Sequence, residues 1–153
     1  MTTTERSVLV QSPTTDLRGA HMLLGWSEWK IRAAIDDGRI GWAWNIGRDM
    51  TSRIELRLLS AAVTDLLSPY GGEPIERAAE EVIALIHGAH RPFIYGREWC
   101  DAWSCNSDHM IRLLNDGSLR LAAGSDRWRR GPGGSPCIAW ESAVRFIDRR
   151  RIV

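Results

Sequence analysis

Lysine is nearly missing from this chain: Lys30 stands alone beside nineteen arginines. Positive charge is therefore almost wholly guanidinium, the group whose planar fork matches phosphate and guanine edges. A GC-rich coding bias would produce the same count. Long apolar runs are also missing, and nothing approaches the roughly 20 residues that a membrane-crossing helix needs. The opening "MTTTERSVLVQSPTTD" is polar and lacks the basic-then-apolar layout of a secretory signal, so residence in the cytoplasm without membrane attachment is expected. Cysteine is scarce and odd in number. Cys100, Cys105 and Cys137 have no framework spacing, which points to reduced thiols. Cys100, Cys105 and His109 could be read as zinc ligands, but the repeat described below puts both thiols at core positions, so no metal is expected.

Catalytic signatures are absent as well. There is no phosphate-cradling glycine loop, no His-x-x-x-His pair and no Gly-x-Ser-x-Gly elbow. His21, His87, His90 and His109 fall on separate segments, and the glycines of "GPGGSP" follow no strand-to-helix pattern. Neither an enzymatic activity nor a cofactor is expected.

What is present is an ordinary globular composition in 153 residues, 44% hydrophobic and 25% charged, enough for one domain or two small ones. An internal repeat decides between them. Shifting the chain by 79 positions sets Gly38 on Gly117, Asp37 on Asp116, Ile35 on Leu114, Ala34 on Leu113, Ile31 on Met110 and Ile40 on Leu119. Upstream, Ala20 meets Trp99, Leu24 meets Trp103 and Trp26 meets Cys105. Identity is low, but apolar falls on apolar and the turn residues coincide.

Both copies parse alike. In the first, Thr15 or Asp16 caps a helix over "LRGAHMLL" that Gly25 ends, and Ser27 caps a second helix, "EWKIRAAIDD", ended by Gly38. Ile40, Trp42, Trp44 and Ile46 then alternate with smaller residues as a strand, "GRDMTS" turns, Ile54, Leu56 and Leu58 return, and Ser60 caps "AAVTDLL". In the second, Tyr95 or Gly96 precedes "REWCDAW", and Asn106 sits where Ser27 did. Gly117 closes the next helix, Leu119 and Leu121 begin a strand, and "GSDRWRRGPGGSP" is a long turn. Ile138 lies on the return strand before the helix "ESAVRFIDRR". Helix, turn, helix, hairpin and helix make a winged helix-turn-helix, present twice. Between the copies, "SPYGGEP" breaks the chain and "IERAAEEVIALIHG" reads as an extra helix with one wide apolar face.

The expected fold is thus mainly α with small β-hairpins (α+β): tandem winged helix-turn-helix domains joined by a linker helix. Its boundaries are a flexible N-terminus over 1–14, a first domain over 15–67, a linker over 68–92 with its helix at 74–88, and a second domain over 93–153.

The stretches "LLGWSEWKIRAAIDDGRI" with "SRIELRLLSAAVTDLL", and "DAWSCNSDHMIRLLNDGSL" with "PCIAWESAVRFIDRRRIV", resemble the excisionase or MerR-like winged-helix family. The resemblance covers residues 15–67 and 93–153. It implies a non-enzymatic protein of a phage or mobile element that binds double-stranded DNA and regulates transcription or recombination. Phage packaging subunits resemble the same pattern, so a small terminase-like recognition subunit is one alternative. A protein-interaction module whose first copy has lost DNA is another. A homodimer or cooperative assembly on DNA, and a recombinase or RNA polymerase partner, are compatible with any of these.

A helix-turn-helix lays its second helix in the major groove, where side chains of the first turns reach base edges. Removing the core stripe leaves Ser107, Asp108, Ile111 and Arg112 exposed in the second copy, with His109 at the margin. The first copy offers Glu28, Trp29, Arg32 and Ala33, with Lys30 at the margin; Glu28, Asp36 and Asp37 weigh against base reading there. The second wing carries Arg127, Arg129 and Arg130 around Trp128, whereas the first has only Arg48 and Arg53 with Asp49 between. Residues 90–153 hold eleven Arg against seven acids, and residues 16–67 hold seven of each. Trp42 and Trp44 either pack within their own copy or form a docking face for the linker helix or a second protomer.

Replacing Arg127, Arg129 and Arg130 together by Ala should reduce the salt dependence of DNA binding by roughly two to three phosphate equivalents, each about 0.9 in log–log slope. Fluorescence anisotropy with a random duplex across a salt series measures this, and an unchanged slope would detach the wing from DNA.

Overall fold

The computed structural model describes residues 12–47, 54–67, 76–122 and 136–152. Their fold is mixed, helices with small antiparallel sheets, and the chain divides into two compact units: residues 1–78 with 150–153, and residues 79–149.

The first unit runs β1 (Thr14–Thr15), α1 (Leu17–Leu24), α2 (Glu28–Asp36), β2 (Ala43–Asn45), β3 (Leu56–Leu59) and α3 (Ser60–Asp65). Asp16 caps α1, its carboxylate accepting from Gly19 N at 2.7 Å, and Gly25 ends the helix at φ 70°. Ser27 caps α2 through a 3.2 Å bond from Lys30 N. β3 lies between β1 and β2, with Thr14 opposite Leu59 and Ala43 opposite Leu58. Ile31, Ile40, Trp44, Ile46, Leu58 and Val63 are fully buried between the sheet and the helices.

The second unit opens with α4 (Ala79–His87) and continues through β4 (Phe93–Tyr95), α5 (Gly96–Trp103), α6 (Ser107–Asn115), β5 (Cys137–Ala139) and the body of α7 (Trp140–Arg150). β4 pairs with β5, and Leu121 bridges Ile138 from the other side. At the offset of 79, Asn106 caps α6 as Ser27 caps α2, with a 2.8 Å bond from His109 N. Ile40 N donates to Ala34 O and Leu119 N to Leu113 O, both at 3.1 Å, and Gly38 and Gly117 adopt φ 82° and 83°. The core is aromatic: Trp99, Trp103 and Phe146 meet in a triangle of centroid distances 5.4, 5.6 and 6.0 Å.

Several expectations need correction. A short first strand precedes each helix pair, because "TT" and "FIY" pair with the last strand rather than merely leading into a cap. Ser60 is the first residue of α3, not its cap; Leu59 holds the cap position, and no side chain caps that end. The interposed helix is Ala79–His87 rather than 74–88, and it belongs with the second unit instead of linking two. The strand face Ile40, Trp42, Trp44, Ile46 has no exposed opposite face, since Ala43 and Asn45 are buried too.

The second unit does not keep the chain's end. Arg151 bridges Trp44 at the open edge of β2, Ile152 N donates to Ala43 O at 2.8 Å, and the buried Arg150 donates to Gly47 O at 2.6 Å. The Arg151 guanidinium also lies 3.5 Å from the Trp42 ring centroid. The expected second domain over 93–153 therefore gives its last residues to the first unit, where they cover a sheet edge that would otherwise be open.

Two measurements follow from this packing. Ser104 takes the left-handed conformation (φ 50°) at the position of Gly25, a conformation that costs an L-residue roughly 1 kcal/mol. Ser104→Gly should raise unfolding free energy by up to about 1 kcal/mol in urea titrations. His87 is buried in the second unit, and its Nε2 accepts from Trp103 Nε1 at 3.2 Å, which requires the neutral ring. Burial, reinforced by the charge of Arg91, lowers its pKa from 6.5 to about 3. Its contribution is complete above pH 6.5 and is lost as pH falls toward 3, because over that interval only the unfolded chain takes the proton. Stability should drop by about 2 kcal/mol between pH 7.5 and pH 5. His87→Gln, whose amide oxygen can accept the same bond, should remove most of that drop.

Candidate nucleic-acid interface

The outward faces of α2 and α6 follow from their buried stripes. Ile31, Ala34 and Ile35 turn α2 inward, and Met110 and Leu113 turn α6. Glu28, Trp29, Lys30 and Arg32 are left exposed on one helix, and Ser107, Asp108, Ile111 and Arg112 on the other. Ala33 and His109 are half-buried. The exposed sets named from the sequence are thus brought together on each helix, with two differences: Ala33 retreats to half-burial, and Lys30, expected at the margin, is exposed. His109 stays at the margin as expected.

The cations of the two faces differ in what holds them. Arg32 binds Glu28 through Nε and Nη2, both at 3.1 Å. Lys30 Nζ sits 4.1 Å from the Trp26 ring centroid, and Arg39 chelates Asp37 at 3.0 and 3.1 Å beside the same ring. Exposed pairs of this kind add little stability, but each engages a cation that a phosphate would otherwise claim. Arg112 is different. It stands at i+4 from Asp108 just as Arg32 stands from Glu28, yet the Arg112 guanidinium makes no ion pair or hydrogen bond among the described residues. Arg97, Arg120, Arg145 and Arg149 of the second unit are likewise exposed, with no side-chain ion pair or hydrogen bond among the described residues. The sequence reading missed Arg120, which follows the turn at Gly117.

Arg127, Arg129 and Arg130, with Arg48 and Arg53, lie outside the described residues. The roots of both hairpins are described. Asn45 Oδ1 accepts from Gly47 N at 2.9 Å and Glu55 N at 3.2 Å, and Ala122 N donates to Cys137 O at 2.8 Å.

Trp42 and Trp44 are not an interaction surface. Both are buried, 5.8 Å apart, with Arg151 over one ring, and Trp42 Nε1 donates to Arg77 O at 3.3 Å. Among the described residues the exposed tryptophan is Trp29, 79% accessible in the first turn of α2. Cys100 and Cys105 are half-buried rather than core. A hydrogen bond from the Cys105 thiol holds Cys100 below the usual thiol range, against the opposing effects of burial and Asp101. No group of three or more His, Cys, Asp or Glu converges among the described residues.

The net charge expected of the second copy also needs revision. Residues 79–149 carry nine Arg and nine acids, because Glu80 and Glu81 join that unit while Arg150 and Arg151 leave it. What distinguishes its candidate helix is that Arg112 has no ion pair among the described residues, not a surplus of charge. Comparison with protein-family models, curated proteins and solved structures finds no match to this chain.

Proposed function

We propose that the chain is a non-enzymatic double-stranded-DNA-binding protein built from tandem winged helix-turn-helix units, a regulator of transcription or recombination in the excisionase manner. One observation carries this reading. Twice, at a constant offset of 79, a left-handed turn residue and a side-chain cap set a second helix whose outer face stays exposed, followed by the root of a hairpin. That arrangement suits a helix laid in a major groove with a hairpin reaching the flanking backbone. Two such units in one chain suit two neighbouring groove segments, which a dimer of single-unit chains would otherwise be needed to cover.

The two units take different shares. α6, with Ser107 and the uncommitted Arg112, is the sequence-reading helix. α2 supports a second role, contact with a protein partner. The observation favouring it is Trp29, the most exposed large apolar side chain described, beside a Glu28–Arg32 pair already satisfied internally. Tryptophan is enriched at the energetic centres of protein interfaces.

A cognate site selected from a random duplex library tests both assignments. Arg112→Ala should cost about 1–3 kcal/mol on the selected site and less on random duplex. Arg32→Ala should change either by under about 0.5 kcal/mol, as for other surface substitutions. Equal loss on both duplexes would make Arg112 a phosphate contact, a larger effect at Arg32 would exchange the roles of the two helices, and no shift of any duplex at low salt would remove the DNA-binding reading.

A further inference from the structure

Two thiols and a thioether lie where α5 turns into α6. The Cys100 thiol donates to Met110 Sδ at 3.8 Å, and the Cys105 thiol hydrogen-bonds Cys100. Ser104, in its left-handed conformation, folds the chain back so that Cys105 N reaches Cys100 O at 3.1 Å. Gly96 provides the room: a Cβ there would stand 2.7 Å from Met110 Sδ and 3.0 Å from its Cε. Met110 is buried, and both cysteines are partly open to solvent, so the cluster has a packed floor and an accessible mouth.

The fold does not require sulfur at these places. At the same offset of 79 the first unit uses His21, Trp26, Ile31 and Leu17 where the second has Cys100, Cys105, Met110 and Gly96. There the His21 ring donates from Nδ1 to the Trp26 carbonyl, closing the same turn without a thiol. Packing accounts for a Met facing an Ile and for the glycine beside it, but not for two thiols beside that thioether.

We propose that Cys100, Cys105 and Met110 form a binding site for a soft monovalent cation, copper(I) or its analogue silver(I). Two thiolates and a thioether are the ligand set that favours such ions, whereas a structural zinc site closes with four ligands. Three sulfurs around one ion at about 2.3 Å lie roughly 4 Å from one another in a trigonal plane. The 3.8 Å between Cys100 and Met110 meets that spacing before any ion is present. Binding exchanges the two thiol protons for the cation and releases them to solvent. The site stands independently of the DNA-binding reading.

Titration of the reduced full-length protein with copper(I), under nitrogen and against a chromogenic copper(I) chelator, tests the site. The expected result is one ion per chain retained in competition, unchanged in Cys137→Ser. Cys100→Ser and Cys105→Ser should each abolish retention. Met110→Leu, which keeps the core volume, should weaken it at least about tenfold, as disturbing a metal site commonly does. Circular dichroism identifies any cysteine variant that fails to fold, and in that case Met110→Leu decides. Failure of the wild-type protein to retain copper(I), retention unaffected by the Met110→Leu change, dependence on Cys137, or equally tight retention of zinc(II) would each overturn the proposal.

Discussion

In each unit a backbone hydrogen bond ties the proline before the first strand to the first residue of the helix that follows the last strand. Ser60 N donates to Pro13 O in the first, and Trp140 N donates to Pro92 O in the second, at 3.0 and 3.1 Å. Roughly 50 residues separate the partners, so closing these loops costs chain entropy that local helix formation cannot recover. The return comes from the sheet made at the same point. β1 and β4 pair with β3 and β5, which places Leu58 and Ile138 against the helices and excludes water from Trp44 and Trp99. The buried stripes of α2 and α6 pack in the units that these sheets complete, and the opposite faces are left outward.

Much of this was legible in the sequence, and the rest failed for identifiable reasons. Gly25, Ser27, Gly38, Asn106 and Gly117 announced the helix boundaries because their side chains, or the lack of one, act locally on the backbone. The first strands were missed because two or three residues cannot show a period. A clue was nevertheless present: Pro13 and Pro92 stand 79 apart, each just before a first strand and each supplying the carbonyl to which the helix after the last strand bonds. The site was less legible than the fold. Glu28–Arg32 and Asp108–Arg112 look equivalent as sequence, yet among the described residues only the first is a closed ion pair. Trp42 and Trp44 looked surplus because the segment that covers them lies over a hundred residues later. No local pattern encodes Arg150 reaching the carbonyls of Gly47 and Asn45.

Electrostatics divides the two units more sharply than net charge does. The described cations beside α2 all have a partner in the protein: carboxylates for Arg32 and Arg39, an indole ring for Lys30. Recruiting them to a phosphate would first require giving up those contacts, at up to about 1 kcal/mol each. Among the described residues Arg112 has no such contact to give up. Summed charge over a sequence span conceals this distinction, since a paired and an unpaired arginine count alike. It also depends on where the span is cut, as the transfer of Glu80, Glu81, Arg150 and Arg151 between units shows.

That transfer bears on how the first unit is completed. The second unit is contiguous, residues 79–149, and every strand and helix it needs lies within that stretch. The first is not: the edge of β2 and the face of Trp42 are finished by Arg150, Arg151 and Ile152, the end of the described chain. Arg150 is a buried charge, and burial of a guanidinium is tolerated only while its donors are satisfied, here by carbonyls that β2 and its turn present. The covering segment and the strand it covers therefore depend on each other. The carbonyls need a donor at the sheet edge, and the arginine needs acceptors out of water. The burial of Trp42 and Trp44 is accordingly a property of the chain that includes its last residues, and no reading of residues 15–67 alone could have found it.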